Sequence, residues 1–341
     1  MSASSDVRWR TPRSGDISMI TLDAHQTAQL LPYPQLADGI EAMLMEMRSG
    51  TARAPERLHF PLTEPERGRR GGVLLVMPAV NRDVAMTKHI TVHPENCRAG
   101  KPSIIGEVMV FDPHTGERLM LLDGPTVTGR RTAAVTLFAA RKFAPRPKGP
   151  VLIVGAGVQA RAHLEAFAAG MGTRHFMIFS RSPERAHALA EHAATLGVEA
   201  TVVDAIEPAL STVSIVITAT TSSEPVLPDS DTMRWRDDIF VAGVGAFRPD
   251  MRELPPQLCR DAAVRGTLVV DTWEVKHEAG DLLHAAIDWA RAAPLMDAII
   301  TPDRYRSSGP VLFKSVGYAL WDLAAVLCAR ANLAKDGVPA S

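Results

Sequence analysis

From Val151 onward, short apolar runs alternate with helical stretches, and this alternation restricts the chain to few folds. The runs are Val151–Val154, His175–Phe179, Val198–Val203, Val213–Ala219, Ile239–Ala242 and Leu268–Val270. Strands separated by helices in this way predict a doubly wound parallel sheet of the Rossmann type. The first run leads into Gly155-Ala156-Gly157-Val158-Gln159-Ala160, a GxGxxA turn set between a strand and a helix. Gly155 permits the tight turn, Gly157 lets backbone approach a pyrophosphate, and Ala160 lets helix and strand pack closely. The helix N-terminus then offers free N–H groups to phosphates, so the segment predicts dinucleotide binding.

The next run ends at Phe179-Ser180-Arg181-Ser182, with no Asp or Glu between His175 and Pro183 to hold ribose hydroxyls. Ser180 and Arg181 suit a 2′-phosphate instead, which favours NADPH, with NADH possible. A solvated loop arginine is the plain alternative.

Upstream the periodicity differs. A helix follows Pro34, with Leu36, Ile40, Met43, Leu44 and Met47 on one face and Gly50 as its stop. Residues 51–72, rich in Pro, Arg and Gly, read as loop. Val73–Met77, Asp83–Val92, Ile104–Phe111 and Arg118–Leu122 then alternate with period two, and Asp112-Pro113-His114-Thr115-Gly116 is a turn. Short connections between consecutive strands predict a second, largely antiparallel sheet. Helices are expected over about Arg130 to Phe143 and about Val316 to Leu333, the latter apolar along much of its length.

The 37 basic and 38 acidic side chains nearly cancel, which speaks against a nucleic-acid partner. Cys97, Cys259 and Cys328 form no CxxC pair, and so sparse a count fits a reducing, cytoplasmic setting. Residues 1–20 look irregular, and Arg8, Arg10 and Arg13 precede no apolar run of a secretory signal. No stretch approaches the roughly 18 apolar residues of a membrane span. No HExxH or paired Cys/His spacing suggests a metal, and no GxSxG elbow is present.

Lys88 is the one charge on a strand face shared with Val84, Met86, Ile90 and Val92. A buried ammonium requires an anion, so Lys88 faces a ligand, a protein carboxylate or an opening to solvent. Arg130 and Arg131, at the expected start of a helix, oppose its dipole unless an anion binds there or water screens them. Arg57 alone is uninformative.

These features combine in a recognisable order. Leu122-Asp123-Gly124, Thr128, Arg131-Thr132-Ala133-Ala134, the GxGxxA turn, Val244-Gly245-Ala246-Phe247-Arg248-Pro249-Asp250 and Phe313-Lys314-Ser315-Val316-Gly317 resemble the ornithine cyclodeaminase/mu-crystallin family. The resemblance runs from about Leu30 to Leu333 and is strongest to its ketimine reductase branch. It implies a homodimer in which a Rossmann domain, residues 130–309, is inserted into a dimerisation and substrate-binding α/β domain formed by residues 1–129 and 310–341. It implies that Arg57, Lys88 and Arg131 grip a substrate carboxylate, with Lys88 the catalytic residue. It further implies that Arg131, Thr132, Ser180, Arg181, Ala219, Thr220, Thr221, Val244 and Lys314 line the cofactor beside the turn residues Gly155, Gly157, Val158, Gln159 and Ala160.

Two departures separate the chain from cyclodeaminases, whose acidic residues are replaced here by Phe247 and Leu75. Without those acids the resemblance implies reduction of Δ1-pyrroline-2-carboxylate or Δ1-piperideine-2-carboxylate to L-proline or L-pipecolate, with Phe247 as an apolar wall. An ornithine or lysine cyclodeaminase, an alanine dehydrogenase and a crystallin-like NADPH-binding protein are the alternatives.

Overall fold

The computed structural model describes residues 19–64, 71–229, 234–305 and 308–335. The expectations for residues 1–18, including Arg8, Arg10 and Arg13, fall outside them. The first unit comprises β1 (Ile20–Thr21), α1 (Ala24–Gln29), α2 (Tyr33–Ser49), β2 (Leu58–Pro61), β3 (Val73–Val80), β4 (Ala85–Val92), β5 (Ile104–Phe111), β6 (Arg118–Asp123) and α3 (Gly124–Phe143). The second comprises β7 (Val151–Val154), α4 (Val158–Met171), β8 (His175–Phe179), α5 (Pro183–Thr195), β9 (Glu199–Val202), α6 (Ile206–Leu210), β10 (Ile215–Thr218), β11 (Phe240–Gly243), α7 (Pro256–Val264), β12 (Thr267–Val270), α8 (Val275–Glu278), α9 (Gly280–Ala285), β13 (Ala292–Pro294), α10 (Leu295–Ile300), α11 (Pro302–Tyr305) and β14 (Val311–Lys314). The chain closes with α12 (Ala319–Lys335), which packs on α2, α3, β3 and β4 of the first unit.

The first sheet has the order β1-β6-β5-β4-β3-β2, antiparallel except for the short β1–β6 pairing. The second, order β13-β12-β14-β11-β10-β7-β8-β9, is parallel throughout, and its central strands β7, β10, β11, β12 and β14 are buried along their whole length. Burial on both faces explains why they read as unbroken apolar runs. The expected α/β architecture is therefore present, a Rossmann-type sheet beside a mixed, largely antiparallel one.

Two expected boundaries change. β14 was assigned to the first unit, yet it pairs with β11 and β12 in the middle of the parallel sheet, so the chain leaves that sheet only after Lys314. The last helix is expected only from about Val316, and the four-residue run before it, too short to show a period, falls with that helix in the division at residue 310. The division at residue 130 cuts α3, a 20-residue helix packed on α2, α4 and α12. Leu36, Met77, Phe138, Ile153, Phe313 and Trp321 belong to one continuous core, so both units bury apolar surface against α3.

The start of α3 also corrects the dipole reading of the two arginines. Asp123 caps the helix by accepting from the Thr126 N–H (2.8 Å), and Pro125 occupies its first turn. Arg130 and Arg131 therefore lie nearly two turns inside, away from the N-terminal charge. Arg130 ties the units together instead. Its Nε donates to the Leu31 carbonyl (2.8 Å) and its guanidinium lies 3.9 Å over the Tyr33 ring. The Tyr33 hydroxyl donates to Glu165 of α4 (3.0 Å).

β2, within the expected loop, forms an exposed edge strand. Among the described residues no helix is long and apolar enough to cross a membrane.

Phe313 is fully buried in the shared core. Phe313→Ala should cost about 3–5 kcal/mol of unfolding free energy by the lost transfer energy and the cavity left behind, measured by denaturant unfolding. A cost under about 1 kcal/mol would contradict a central β14.

Candidate active site

Parallel strands all end at one edge of their sheet, and the loops leaving β7, β10, β11, β12 and β14 meet there. Gly155, after β7, has a φ of 120°, and a Cβ on it would stand 2.5 Å from the Ala219 carbonyl oxygen. Only glycine fits such a turn. Gly157 has an ordinary φ of −94°, and a Cβ there would meet nothing within 4 Å. It opens α4 with no side-chain cap, leaving the first N–H groups of the helix facing that space. Val158 is exposed, Gln159 half-buried, and Ala160 fully buried where α4 meets the sheet. Thr132, on α3, is buried, and its hydroxyl donates to the Thr128 carbonyl (2.8 Å). The bare backbone of Gly157 before an uncapped helix suits a pyrophosphate, so the residues present fit a dinucleotide.

The neighbouring loops are held by buried carboxylates. Glu253 accepts from the backbone N–H of Thr220 (2.6 Å), Gly245 (2.7 Å) and Ala246 (3.0 Å). It thereby fixes the segments carrying Ala219, Thr220 and Thr221 after β10 and Val244 at the end of β11. Asp281 accepts in turn from the N–H of Glu253 (2.6 Å) and Leu254 (2.9 Å), and lies 2.7 Å from the Lys314 ammonium. Lys314, expected to line the cofactor, is wholly enclosed, with its ammonium directed to Asp281. Arg181 is exposed at the end of β8 beside half-buried Ser180. Phe247 is half-buried against the second core.

Of the three expected carboxylate-gripping cations, Arg57 and Arg131 meet at the turn at residues 315–317, and Lys88 joins Arg131 through Asp322. Asp271 shapes that turn, accepting from the Ser315 hydroxyl (2.7 Å) and the N–H of Val316 (3.1 Å) and Gly317 (2.7 Å). A Cβ on Gly317 would stand 2.7 Å from the Arg131 guanidinium. Arg57 reaches the same turn, donating to the Val316 and Gly317 carbonyls and pairing with Glu274 (2.9 Å) and Glu278 (3.2 Å). Lys88 and Arg131 share Asp322 of α12, at 2.7 and 3.0 Å.

Of the readings open for Lys88, the pairing with a protein carboxylate is the one observed, and Asp322 was not foreseen. Its position inside an apolar helix was the available signal. Glu274 and Glu278 were also missed, although they lie one turn apart on α8 and its preceding residue.

The electrostatics follow from enclosure. Burial lowers Lys88 to about 7; Asp322 pulls it back up, and Arg131 and Arg57 push it down. Burial disfavours the charge of Arg57, but Glu278 and Glu274 outweigh it and hold the guanidinium above its ordinary value. Burial raises Glu274, with Arg57 opposing and Glu278 adding to the rise. With every group charged, Lys88, Arg131 and Asp322 carry one net positive charge, and Arg57, Glu274 and Glu278 one net negative. Arg131 Nη1 and Arg57 Nε are buried N–H groups with no hydrogen-bond partner. Leu75 shares its strand face with Met77, the register partner of Lys88, and is buried with Ile90 and Val92.

The chain is similar to proteins named for their activity. Residues 18–337 match the model of the ornithine cyclodeaminase/mu-crystallin family. A Delta(1)-pyrroline-2-carboxylate reductase 2 of Burkholderia ambifaria is 40% identical over 310 residues, covering 90% of this chain and 94% of its own. A Delta(1)-pyrroline-2-carboxylate/Delta(1)-piperideine-2-carboxylate reductase of Azospirillum brasilense is 39% identical over 314 residues, 92% of this chain and 95% of that one. The Thermococcus litoralis Delta(1)-pyrroline-2-carboxylate reductase, solved with NADH and L-proline, superposes with a TM-score of 0.82 at 28% identity, covering 95% of this chain and 100% of its own. The match spans nearly the whole of each protein, and the chain belongs to the ornithine cyclodeaminase/mu-crystallin family.

Proposed function

We propose that this chain is an NAD(P)H-dependent reductase of cyclic ketimines, converting Δ1-pyrroline-2-carboxylate to L-proline and Δ1-piperideine-2-carboxylate to L-pipecolate. The observation that carries the reading is the pair of buried, unpartnered guanidinium N–H groups on Arg131 and Arg57, beside the enclosed ammonium of Lys88. Buried donors without partners cost free energy that a bound carboxylate returns. The names of the relatives, and the proline held by the Thermococcus enzyme, support the substrate class.

In this reading Lys88 and Arg131 hold the substrate carboxylate, and Arg57 adds its Nε edge. The net negative charge around Glu274 and Glu278 suits the other end of the substrate, a protonated ring nitrogen. Phe247 is an apolar wall for the ring. Gly155, Gly157, Val158, Gln159 and Ala160 hold the pyrophosphate, with Thr132, Ala219, Thr220, Thr221 and Val244 around the rest of the dinucleotide and Lys314 supporting it through Asp281. When bound, a reduced nicotinamide supplies the hydride that C2 of the imine accepts. The protein's contribution is to position that carbon and to balance the charges at both ends of the ring. Arg181 and Ser180 favour the 2′-phosphate of NADPH. The dimerisation domain is the first unit with α12, and the inserted domain runs from β7 through β14. The sparse cysteines, with Cys259 and Cys328 free, fit the cytoplasm.

A homodimer accounts for the outer face of the first sheet. Phe60, Leu74, Thr91 and Ile105 form one cross-strand row on the side opposite Lys88, with Phe60 56% and Ile105 51% exposed. Leu58 adds to this apolar surface at the sheet edge. Such a patch favours burial against a second copy.

Cyclic imino acids should consume NADPH without added ammonia, and ornithine should release none. Ammonia release from ornithine would overturn the assignment. Lys88→Met should lower kcat/KM for the imine by about 100-fold or more, with cofactor affinity within about twofold. Arg181→Ala should raise the KM for NADPH by about tenfold and leave that for NADH nearly unchanged. Sedimentation of Phe60→Asp should give half the mass found for the wild type; an unchanged mass would place the interface elsewhere.

A further inference from the structure

Asp322 stands out among the buried charges. It is wholly enclosed on an otherwise apolar stretch of α12, and both of its oxygens are used: Oδ2 toward Lys88 at 2.7 Å, Oδ1 toward Arg131 at 3.0 Å. Burying a carboxylate is costly, and a helix packed on α2 and α3 gains nothing from one unless the charge has a task. The groups around Lys88 show what that task is. Its register partners on the flanking strands, Met77 on β3 and Val108 on β5, are uncharged. Arg131 reaches it from α3 and Arg57 from the segment before β2, both cations. Asp322 is the anion paired with the Lys88 ammonium.

We propose that Asp322 is the positioning residue of the substrate site, setting both the spacing and the net charge of the Lys88–Arg131 pair. Its two oxygens hold an ammonium and a guanidinium on one carboxylate, so that a substrate carboxylate meets them already placed. It also cancels one of their two charges, leaving a single positive charge for a single carboxylate. Arg131 Nη1 remains unpartnered because Asp322 engages Nε instead. Burial has already brought Lys88 to about 7, and Asp322 is what opposes a further fall. Without it, Lys88 would give up its proton below the neutral range, and the grip on the carboxylate would fail at neutral pH.

The kinetic consequence rests on the reduction proposed above. In Asp322→Asn, the alkaline limb of the kcat/KM profile for a cyclic imino acid should move at least about one pH unit toward acid, as expected when a like charge loses its counter-ion. Cofactor affinity should stay within about threefold. Asp322→Glu should keep the limb at its wild-type position, even with lower activity. A loss of kcat/KM that is uniform across pH, or a wild-type profile in Asp322→Asn, would overturn the proposal.

Unfolding temperatures test it without turnover. Asp322→Asn leaves a buried lysine without its counter-ion beside a guanidinium, to be kept charged or deprotonated at a cost, whereas Lys88→Met/Asp322→Asn removes that lysine and should melt several degrees higher at pH 6. An unfolded lysine keeps its proton to about pH 10.4, so the unfolded state binds more protons than the folded state as pH rises above neutral. The deficit of the single variant should therefore shrink from pH 6 to pH 9. Equal melting of the two variants at pH 6 would refute the role of Asp322. Inactivity of the wild type toward every cyclic imino acid would refute the assigned reaction and leave this thermal test standing.

Discussion

Two cations cannot be enclosed side by side in a protein interior without a counter-charge, and the site is organised around that constraint. Lys88 comes from the antiparallel sheet, Arg131 from the middle of α3, and Asp322 from α12, more than 180 residues later in the chain. Their meeting requires the C-terminal helix to return to the first unit after the parallel sheet is complete. The apolar faces of α12 and α3 supply the energy of that return. The shared carboxylate fixes its register, because a helix rotated by one residue would withdraw Asp322 from both partners.

Other carboxylates perform a related service with backbone instead of side chains. Asp271 gathers the N–H groups of the turn at 315–317, and Glu253 gathers those of the loops after β10 and β11. Burial raises both acids, while hydrogen bonds to the charged form oppose the rise. The loops after β10 and β11 carry residues assigned to substrate or cofactor, the turn at 315–317 borders the assigned cations, and each is tethered to a neighbouring segment. Loops tied in this way hold close approaches, such as Gly317 against Arg131, that free loops would not keep. Pre-set geometry of this sort lowers the entropy lost when a small ligand is bound.

Much of this was legible in the sequence. The Rossmann sheet was visible because strands buried on both faces leave unbroken apolar runs, and the glycine turn because only certain backbone shapes approach a phosphate. Lys88 declared itself by sitting on an apolar strand face. What escaped were features decided by distant partners. Asp322 looked like one acid in an apolar helix, since nothing local shows that two cations from other elements converge on it. β14 is four residues long, too short to show a period, and the expected division at residue 310 puts it in the first unit with the helix after it. The helix expected from about Arg130 begins at Gly124, where Asp123 caps it, so Arg130 and Arg131 lie inside it. Glu274 and Glu278 carry meaning only once Arg57 lies between them.

In the proposed reading the site takes a small zwitterion: a carboxylate for the positive half and a protonated ring nitrogen for the negative half. Leu75 and Phe247 stand where the resemblance implies the acids of cyclodeaminases. The most direct test changes the ligand and leaves the protein untouched. Calorimetric titration of the cofactor-loaded protein with L-proline and with L-prolinamide compares a carboxylate with its neutral amide. If buried cations grip the carboxylate, the amide should bind at least about 100-fold more weakly. Equal affinity for the two would contradict the assignment of Lys88 and Arg131 to the substrate.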